Sequence, residues 1–327
     1  MKKKTLAIFG ATGSIGTSAL DVFKNNKDKF KLIYLSAHNN LTKLEKLNKK
    51  FKPRNIIITN KNISQNKNKF FNFLDSKKIF LNKKKIDISI SGISGFTALE
   101  FNLKLLKISK KLLIANKETL ICGGELFLKL AKKENCEILP IDSEHHCIDY
   151  FLKSFKLRKE IDKYYITASG GPFLNKKTKY NEKIKNVLMH PTWKMGKNIS
   201  VNSATMANKV LELFEAVLLF NINKKNIKIK IEKNSIIHAI IKLKNNVYFP
   251  ILHSPKMKIP LSNALGVKNY CDLKISDYNF SLIEPNYKKF PLIKLGYKII
   301  NNYGHSGMII FTVLNEKLVD MYLKNKI

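Results

Sequence analysis

Apolar residues in the first part of the chain fall in short unbroken runs, separated by stretches where they return every three or four positions. Thr5-Leu6-Ala7-Ile8-Phe9 is such a run and predicts a strand buried on both faces. The pattern then predicts a helix over 14–23, a strand over 32–37, a helix over 41–51 and a strand over 55–59. Further strands are expected at 87–90, 111–115 and 137–140, with a helix near 125–133. Strands alternating with helices imply a parallel sheet with helices on both faces, and ligands then bind beyond the carboxyl ends of the strands. Asn116-Lys117-Glu118 and Asp142-Ser143-Glu144 both follow predicted strands, so both reach that edge.

The pattern changes after residue 143. A strand at 164–168 runs into Ser169-Gly170-Gly171-Pro172, and a polar, lysine-rich stretch leads to His190-Pro191-Thr192-Trp193. One long helix is expected over 204–220, and strands near 235–243 and 247–252 read as a hairpin across Lys244-Asn245-Asn246. A loop rich in Asn and Tyr precedes helical patterns near 291–302 and 307–324.

Chemistry enters at three places. Gly10, Gly13 and Gly16 sit between a strand and a helix, so the turn's amides face an anion such as a pyrophosphate. The second strand ends in Ala37-His38-Asn39-Asn40 without Asp or Glu; an acid there would bind the ribose of NAD, so its absence favours NADP. Asp142 and Glu144 share one side of a segment read as extended. Glu212 lies on a later helix with Asn208 and Lys209, and three acids from separate segments can hold a hard divalent cation. Lys209 has a plainer reading as a salt-bridge partner of Glu212. Ser203 reads as a helix N-cap with Asn208 and Lys209 one turn on, a cradle for phosphate. Ser169-Gly170-Gly171 is either an ordinary turn or an anion nest. His190 taken alone reads better as a core histidine, and Trp193, the single tryptophan, suits a closing lid. His145 and His146 lack a third histidine at zinc spacing.

Composition narrows the class. With 327 residues the chain suits two or three domains, and 44% hydrophobic content excludes wholesale disorder. The net charge of +36 invites a nucleic-acid reading, but the lysines are dispersed and not interleaved with aromatics. Compositional drift in an AT-rich genome is the reading adopted, leaving a field that attracts anionic substrates. Cys122, Cys136, Cys147 and Cys271 form no CxxC pair and are expected to be reduced thiols in a cytoplasmic protein. No stretch approaches the ~20 apolar residues a membrane helix needs. The apolar run after Lys2-Lys3-Lys4 is too short for a secretory signal.

Taken together the motifs resemble one family, the 1-deoxy-D-xylulose-5-phosphate reductoisomerases. The matching stretches are Gly10 to Gly16, Ala115-Asn116-Lys117-Glu118, Pro140 to His145, Ala168 to Phe173, and His190 to Gly196. The longest begins at Ile199-Ser200-Val201-Asn202-Ser203 and continues through Asn208-Lys209 to Glu215-Ala216; Ser235-Ile236-Ile237-His238-Ala239 follows. The resemblance implies an α/β fold. An N-terminal Rossmann-like doubly wound parallel sheet spans 1–142, an α+β catalytic and dimerisation domain 143–265, and a linker with a reduced helical domain 266–327. It implies NADPH-dependent conversion of a sugar phosphate by a homodimer, with Mg2+, Mn2+ or Co2+ on Asp142, Glu144 and Glu212. Ser169, Ser203, Asn208 and Lys209 would hold phosphate. Ser143, Lys117 and His190 would surround the carbon chain, with Lys117, Glu144 and His190 expected in catalysis. Thr12, Gly13, Ser14, Ile15, Asn39, Asn40, Asn116, Glu118 and Gly196 would contact the cofactor.

The sequence departs from that pattern in places. Asn202 stands where Asp is usual, His38 replaces a glycine, 252–257 reads Leu-His-Ser-Pro-Lys-Met, and the C-terminal helical region is short. Two other readings stand beside it. One is a semialdehyde-type NADP dehydrogenase, which needs an essential cysteine. The other is a basic, non-catalytic binding protein.

Overall fold

The computed structural model describes residues 2–60, 79–81, 84–176, 182–190, 193, 195–268 and 273–327. The chain forms two compact units that interleave in sequence. The first holds Met1–Asn116, Glu125–Asp142 and Met257–Asn269; the second holds Lys117–Gly124, Ser143–Lys256 and Tyr270–Ile327. Division at single points, as the linear pattern suggested, misses that 257–269 returns to the first unit and 117–124 belongs to the second.

In the first unit, β1 (Lys4–Phe9), α1 (Ser14–Lys24), β2 (Phe30–Ala37), α2 (Leu41–Phe51), β3 (Asn55–Ile58), β4 (Ile86–Ser91), α3 (Ala98–Ile108) and β5 (Ser109–Ile114) follow in order. α4 (Lys117–Lys133) leads to β6 (Glu137–Pro140). The six strands are parallel in the order β3-β2-β1-β4-β5-β6, as in dinucleotide-binding sheets. Leu6, Ala7, Ile8 and Phe9 are fully buried, as a central strand covered on both faces requires. α1 lays Ala19, Leu20 and Phe23 into the same core.

The turn after β1 is held by backbone. Gly10 N donates to Ser36 Oγ at 3.1 Å and Ala11 N to Ser36 O at 2.7 Å, tying the loop to β2. Gly10 has φ +78°, and a Cβ there would lie 2.6 Å from Gly92 O. A Cβ on Gly16 would lie 2.4 Å from Gly10 O, so the helix starts this close to the strand only with glycine.

In the second unit, α5 (Ser143–Ser154) precedes β7 (Ile161–Ala168), a helical turn at Ile184–Val187, α6 (Lys197–Ala204) and α7 (Ala207–Phe220). β8 (Ile227–Ile231), β9 (Ile237–Leu243) and β10 (Tyr248–Leu252) complete a four-stranded mixed sheet ordered β10-β9-β7-β8. β9 and β10 form the expected hairpin. α8 (Lys258–Leu265) belongs to the first unit, where Lys258 pairs with Asp21 at 3.0 Å. α9 (Pro291–Asn302) and α10 (Gly304–Leu323) pack on α7 around Phe214, Ile293, Ile300 and Phe311.

Three local expectations give way. Residues 142–144 are not extended: α5 starts at Ser143, because the apolar positions Cys147, Ile148 and Phe151 recur at helical spacing and bury that face. The helix expected over 204–220 starts only at Ala207, and a separate helix, α6, ends at Ala204. Met206 takes a left-handed conformation (φ 63°, ψ 9°) as N-cap of α7, so Ser203 lies at the end of α6 and caps nothing. The helix near 125–133 extends back to Lys117 across a kink at Gly124 (φ 48°, ψ −138°). A Cβ there would meet the ring of His305, whose Nε2 donates to Ile121 O at 2.7 Å.

Candidate active site

The acids come from a helix start and a helix interior. Ser143 opens α5, so Asp142 immediately precedes it and Glu144 lies in its first turn. Glu212 lies in the middle of α7, nearly all of which is buried. Asp142, Glu144 and Glu212 each offer a carboxylate oxygen, all within 4.8 Å of one another. A second trio, Asp142, His145 and Glu215, meets the same distance, with a ring nitrogen in place of one oxygen.

Buried cations neutralise the acids. Lys209 Nζ donates to Glu144 Oε1 at 2.6 Å and to Glu212 Oε2. Burial alone would lower the Lys209 pKa; the two carboxylates outweigh it and hold the ammonium above the ordinary lysine value. Lys117 begins α4 and brings Nζ to 3.7 Å from Glu212 Oε1. Asn208 Nδ2 donates to Glu212 Oε1 at 2.6 Å, and Ser143 Oγ donates to Glu144 Oε2. The salt-bridge reading of Lys209 therefore holds, with Glu144 as a second partner. Its ammonium already stands among the acid oxygens, so this donor set accommodates a cation. Oxygen donors alone suit a hard ion such as Mg2+ or Mn2+.

The loop after β7 is polar. In it Gly171 adopts φ +66°, and a Cβ there would lie 2.7 Å from Ser203 O. Only glycine lets this loop press against the end of α6, which brings Ser169 and Ser203 into one neighbourhood. His190 Nδ1 accepts from Trp193 N at 2.9 Å, so in the neutral ring Nε2 carries the proton. Nε2 then donates to Ser169 Oγ at 3.1 Å, and Gly171 N approaches the same oxygen at 3.3 Å. Burial drives the His190 pKa down to about 4, so the ring is a neutral donor near pH 7. Of the stretch around Trp193, Pro191, Thr192 and Lys194 lie outside the described residues, as does Cys271.

Of the residues expected to contact the cofactor, all but Glu118 and Gly196 belong to the first unit. α1 has Gly13 as N-cap and no side-chain cap, so Ser14 and Ile15 start a helix whose first amides no side chain of the cap satisfies. Asn40 Oδ1 caps α2 by accepting from Lys43 N at 3.0 Å, and Asn39 Oδ1 accepts from Asn60 Nδ2 at 2.7 Å. Asn116 Nδ2 donates to Ile93 O at 2.8 Å and Gly95 O at 3.0 Å, fixing the loop after β4. Gly196 is the N-cap of α6.

Several residues near these sites escaped the sequence reading. Lys43 Nζ reaches Thr12 O at 2.8 Å, placing a cation on the glycine turn. An Asn-cap followed by a basic first turn was the available signal. His253 stacks on His238 with centroids 3.7 Å apart, and Trp193 lies 6.4 Å from His238. Burial, then the neighbouring His253, pushes the His238 pKa down to about 3. The departures have partners: His38 Nδ1 lies 2.9 Å from Thr59 Oγ1, and Asn202 Oδ1 accepts from Asn315 Nδ2 at 2.9 Å. Among the described residues the thiols are not activated. Burial raises Cys122 and Cys136 to about 11, and raises Cys147 well above its usual value.

Known proteins align with this architecture along its length. Residues 6–124 match the family model described as 1-deoxy-D-xylulose 5-phosphate reductoisomerase. Residues 138–220 match the model of that enzyme's C-terminal domain, and 252–327 match a further DXP reductoisomerase C-terminal domain. The 1-deoxy-D-xylulose 5-phosphate reductoisomerase of Pelagibacter ubique is 40% identical over 99% of this chain and 87% of its own length. That of Treponema denticola is 36% identical over 100% of this chain and 87% of its own. A crystal structure of DOX-P reductoisomerase in complex with NADPH, fosmidomycin and magnesium superposes with a TM-score of 0.92, at 31% identity over 99% of this chain and 86% of that one. The Zymomonas mobilis enzyme in complex with NADPH superposes at 0.83, with 26% identity over 100% of this chain and 88% of that one. By sequence and by fold, the chain belongs to the 1-deoxy-D-xylulose 5-phosphate reductoisomerase family.

Proposed function

We propose that the protein converts 1-deoxy-D-xylulose 5-phosphate to 2-C-methyl-D-erythritol 4-phosphate, a step of the non-mevalonate isoprenoid pathway, using NADPH and a divalent metal. The observation that carries this reading is the convergence of Asp142, Glu144 and Glu212 within 4.8 Å, in a chain of this family. When bound, the metal supplies Lewis-acid polarisation of the ketose oxygens, and NADPH supplies the hydride that reduces the rearranged aldehyde.

The chain's own residues bind and orient. Asp142, Glu144 and Glu212 hold the cation. Lys117, buried beside Glu212, keeps the cluster close to neutral. Ser169, Ser203, Asn208 and Lys209 grip the phosphate end, so binding energy remote from the reacting carbons positions them. Ser143 and His190 face the carbon chain, with His190 Nε2–H as a neutral donor. Lys117, Glu144 and His190 are the catalytic set. The glycine turn with Thr12, Gly13, Ser14 and Ile15, together with Asn39, Asn40, Asn116, Glu118 and Gly196, receives NADPH, and the segment around Trp193 closes over the substrate.

The working form is a homodimer. Edge strand β10 exposes Tyr248 next to the exposed Val247, and an open strand edge of this kind suits a second copy. The working location is the cytoplasm; no described helix is long and apolar enough to cross a membrane. Nucleic acid is not a partner.

The test follows NADPH absorbance with the ketose phosphate. Turnover is expected with Mn2+, lost with chelator and restored by excess metal. Absence of turnover in folded protein with Mn2+ refutes the reading. A semialdehyde-type dehydrogenase would instead lose activity in Cys122→Ser or Cys147→Ser, which the raised thiol pKa values argue against.

A further inference from the structure

Helices α5 and α7 carry Glu144 and Glu212, so whatever fixes these helices against each other fixes the spacing of the two carboxylates. His145 directly follows Glu144 and is fully buried. Its Nε2 lies 3.0 Å from the backbone oxygen of Glu212. A carbonyl only accepts, so Nε2 carries a proton and donates. Nδ1 faces Glu215 Oε2 at 3.6 Å, and the ring stacks on Phe220 with centroids 6.1 Å apart and planes 17° from parallel. One imidazole from α5 thus touches α7 at residues 212, 215 and 220.

The chemistry of the contact is constrained. Glu215 is 1% exposed, where a carboxyl is costly unless paired. With Nε2 turned to the Glu212 carbonyl, Nδ1 is the ring atom that faces Glu215 Oε2, so the carboxyl has a polar neighbour inside the fold.

We propose that His145 and Glu215 are a positioning pair that clamps α5 to α7 and so sets the separation of Glu144 and Glu212 for binding a divalent cation. Glu215 acts on that cation through His145. The proposal rests on the metal-dependent reading above. Another polar link across this seam, Lys209 to Glu144 and Glu212, is made by a flexible four-carbon stem. The ring packed on Phe220 is the rigid one. Groups that orient metal ligands in this way typically cost about 10–100-fold in metal affinity when removed.

The experiment measures Mn2+ binding to the full chain without substrate, from the paramagnetic resonance signal of free aqueous Mn2+. Glu215→Gln keeps a donor toward Nδ1 and is expected to stay within about threefold of wild type. Glu215→Leu is expected to bind about tenfold more weakly or worse. The double variant His145→Phe with Glu215→Met replaces both polar partners by apolar groups of similar volume, which preserves folding. It is expected to melt near the wild-type temperature, bind Mn2+ about tenfold more weakly, and recover most of kcat at saturating Mn2+ with a raised KM for the metal. A folded double variant with wild-type Mn2+ affinity overturns the proposal. So does a Glu215→Gln loss as large as that of Glu215→Leu, which would mark a charge effect instead of a clamp. Failure of the wild-type protein to bind Mn2+ would overturn the metal-dependent reading itself, and the proposal with it.

Discussion

At the scale of single residues, environment decides chemistry. Glu144, Glu212, Lys117 and Lys209 are buried ionisable groups, and each has a charged partner at hand. Asp142 is more exposed, so removing its charge disturbs the fold least. Asp142→Asn is expected to lower Mn2+-dependent turnover by about 10²-fold or more with an unchanged circular dichroism spectrum. Burial first, then His253 and Lys153, lowers His146 to about 4, while His238 falls to about 3 and His190 to about 4. Their ordinary value is 6.5, so between about 4 and 6.5 the unfolded chain binds more protons than the folded one. Stability is therefore full above about pH 6.5 and declines as pH falls toward 4. Melting temperatures recorded across that range should drop steadily, and a flat profile would contradict neutral burial of these rings.

At the scale of elements, the informative positions are where regular structure starts or breaks. The β1–α1 turn depends on close backbone approach at Gly16. Gly16→Ala should weaken NADPH binding measured by fluorescence, and cost on the order of 1–3 kcal/mol in denaturant unfolding. Gly171→Ala should act on the loop proposed to hold phosphate. It strains a positive φ and pushes on Ser203 O, so KM for the sugar phosphate should rise several-fold while NADPH affinity holds. The predicted strands and most helices of the first unit matched because their hydrophobic periods are unambiguous, as at β1 and α2. The start of α5 and the break at Met206 were not legible. A Ser-Glu-His-His run favours no single state, and a left-handed Met violates local preference, imposed by packing of its buried side chain.

Across the whole molecule, charge is the dominant statistic, and its placement tempers the meaning. Lys24, Lys49 and Lys50, and Lys132 and Lys133 occupy the last turns of α1, α2 and α4, where cations complement the helix dipole. Part of the +36 surplus is thus structural. The remainder should steer anionic substrate. Raising ionic strength from about 0.02 to about 0.3 M is expected to lower kcat/KM several-fold, chiefly through KM. A salt-independent KM would show that the field plays no part in capture.

The sequence by itself determined the alternation of elements, the glycine turn and the three candidate acids. These are local matters of period, backbone freedom and donor type, and they survive drift in the surrounding residues. Only the tertiary structure decided that Asp142, Glu144 and Glu212 meet, that Lys209 lies between two of them, and that His145 and Glu215 join the helices that carry them. Such meetings depend on packing between segments far apart in the chain. Burial then makes pairing obligatory for charges that would be indifferent in water.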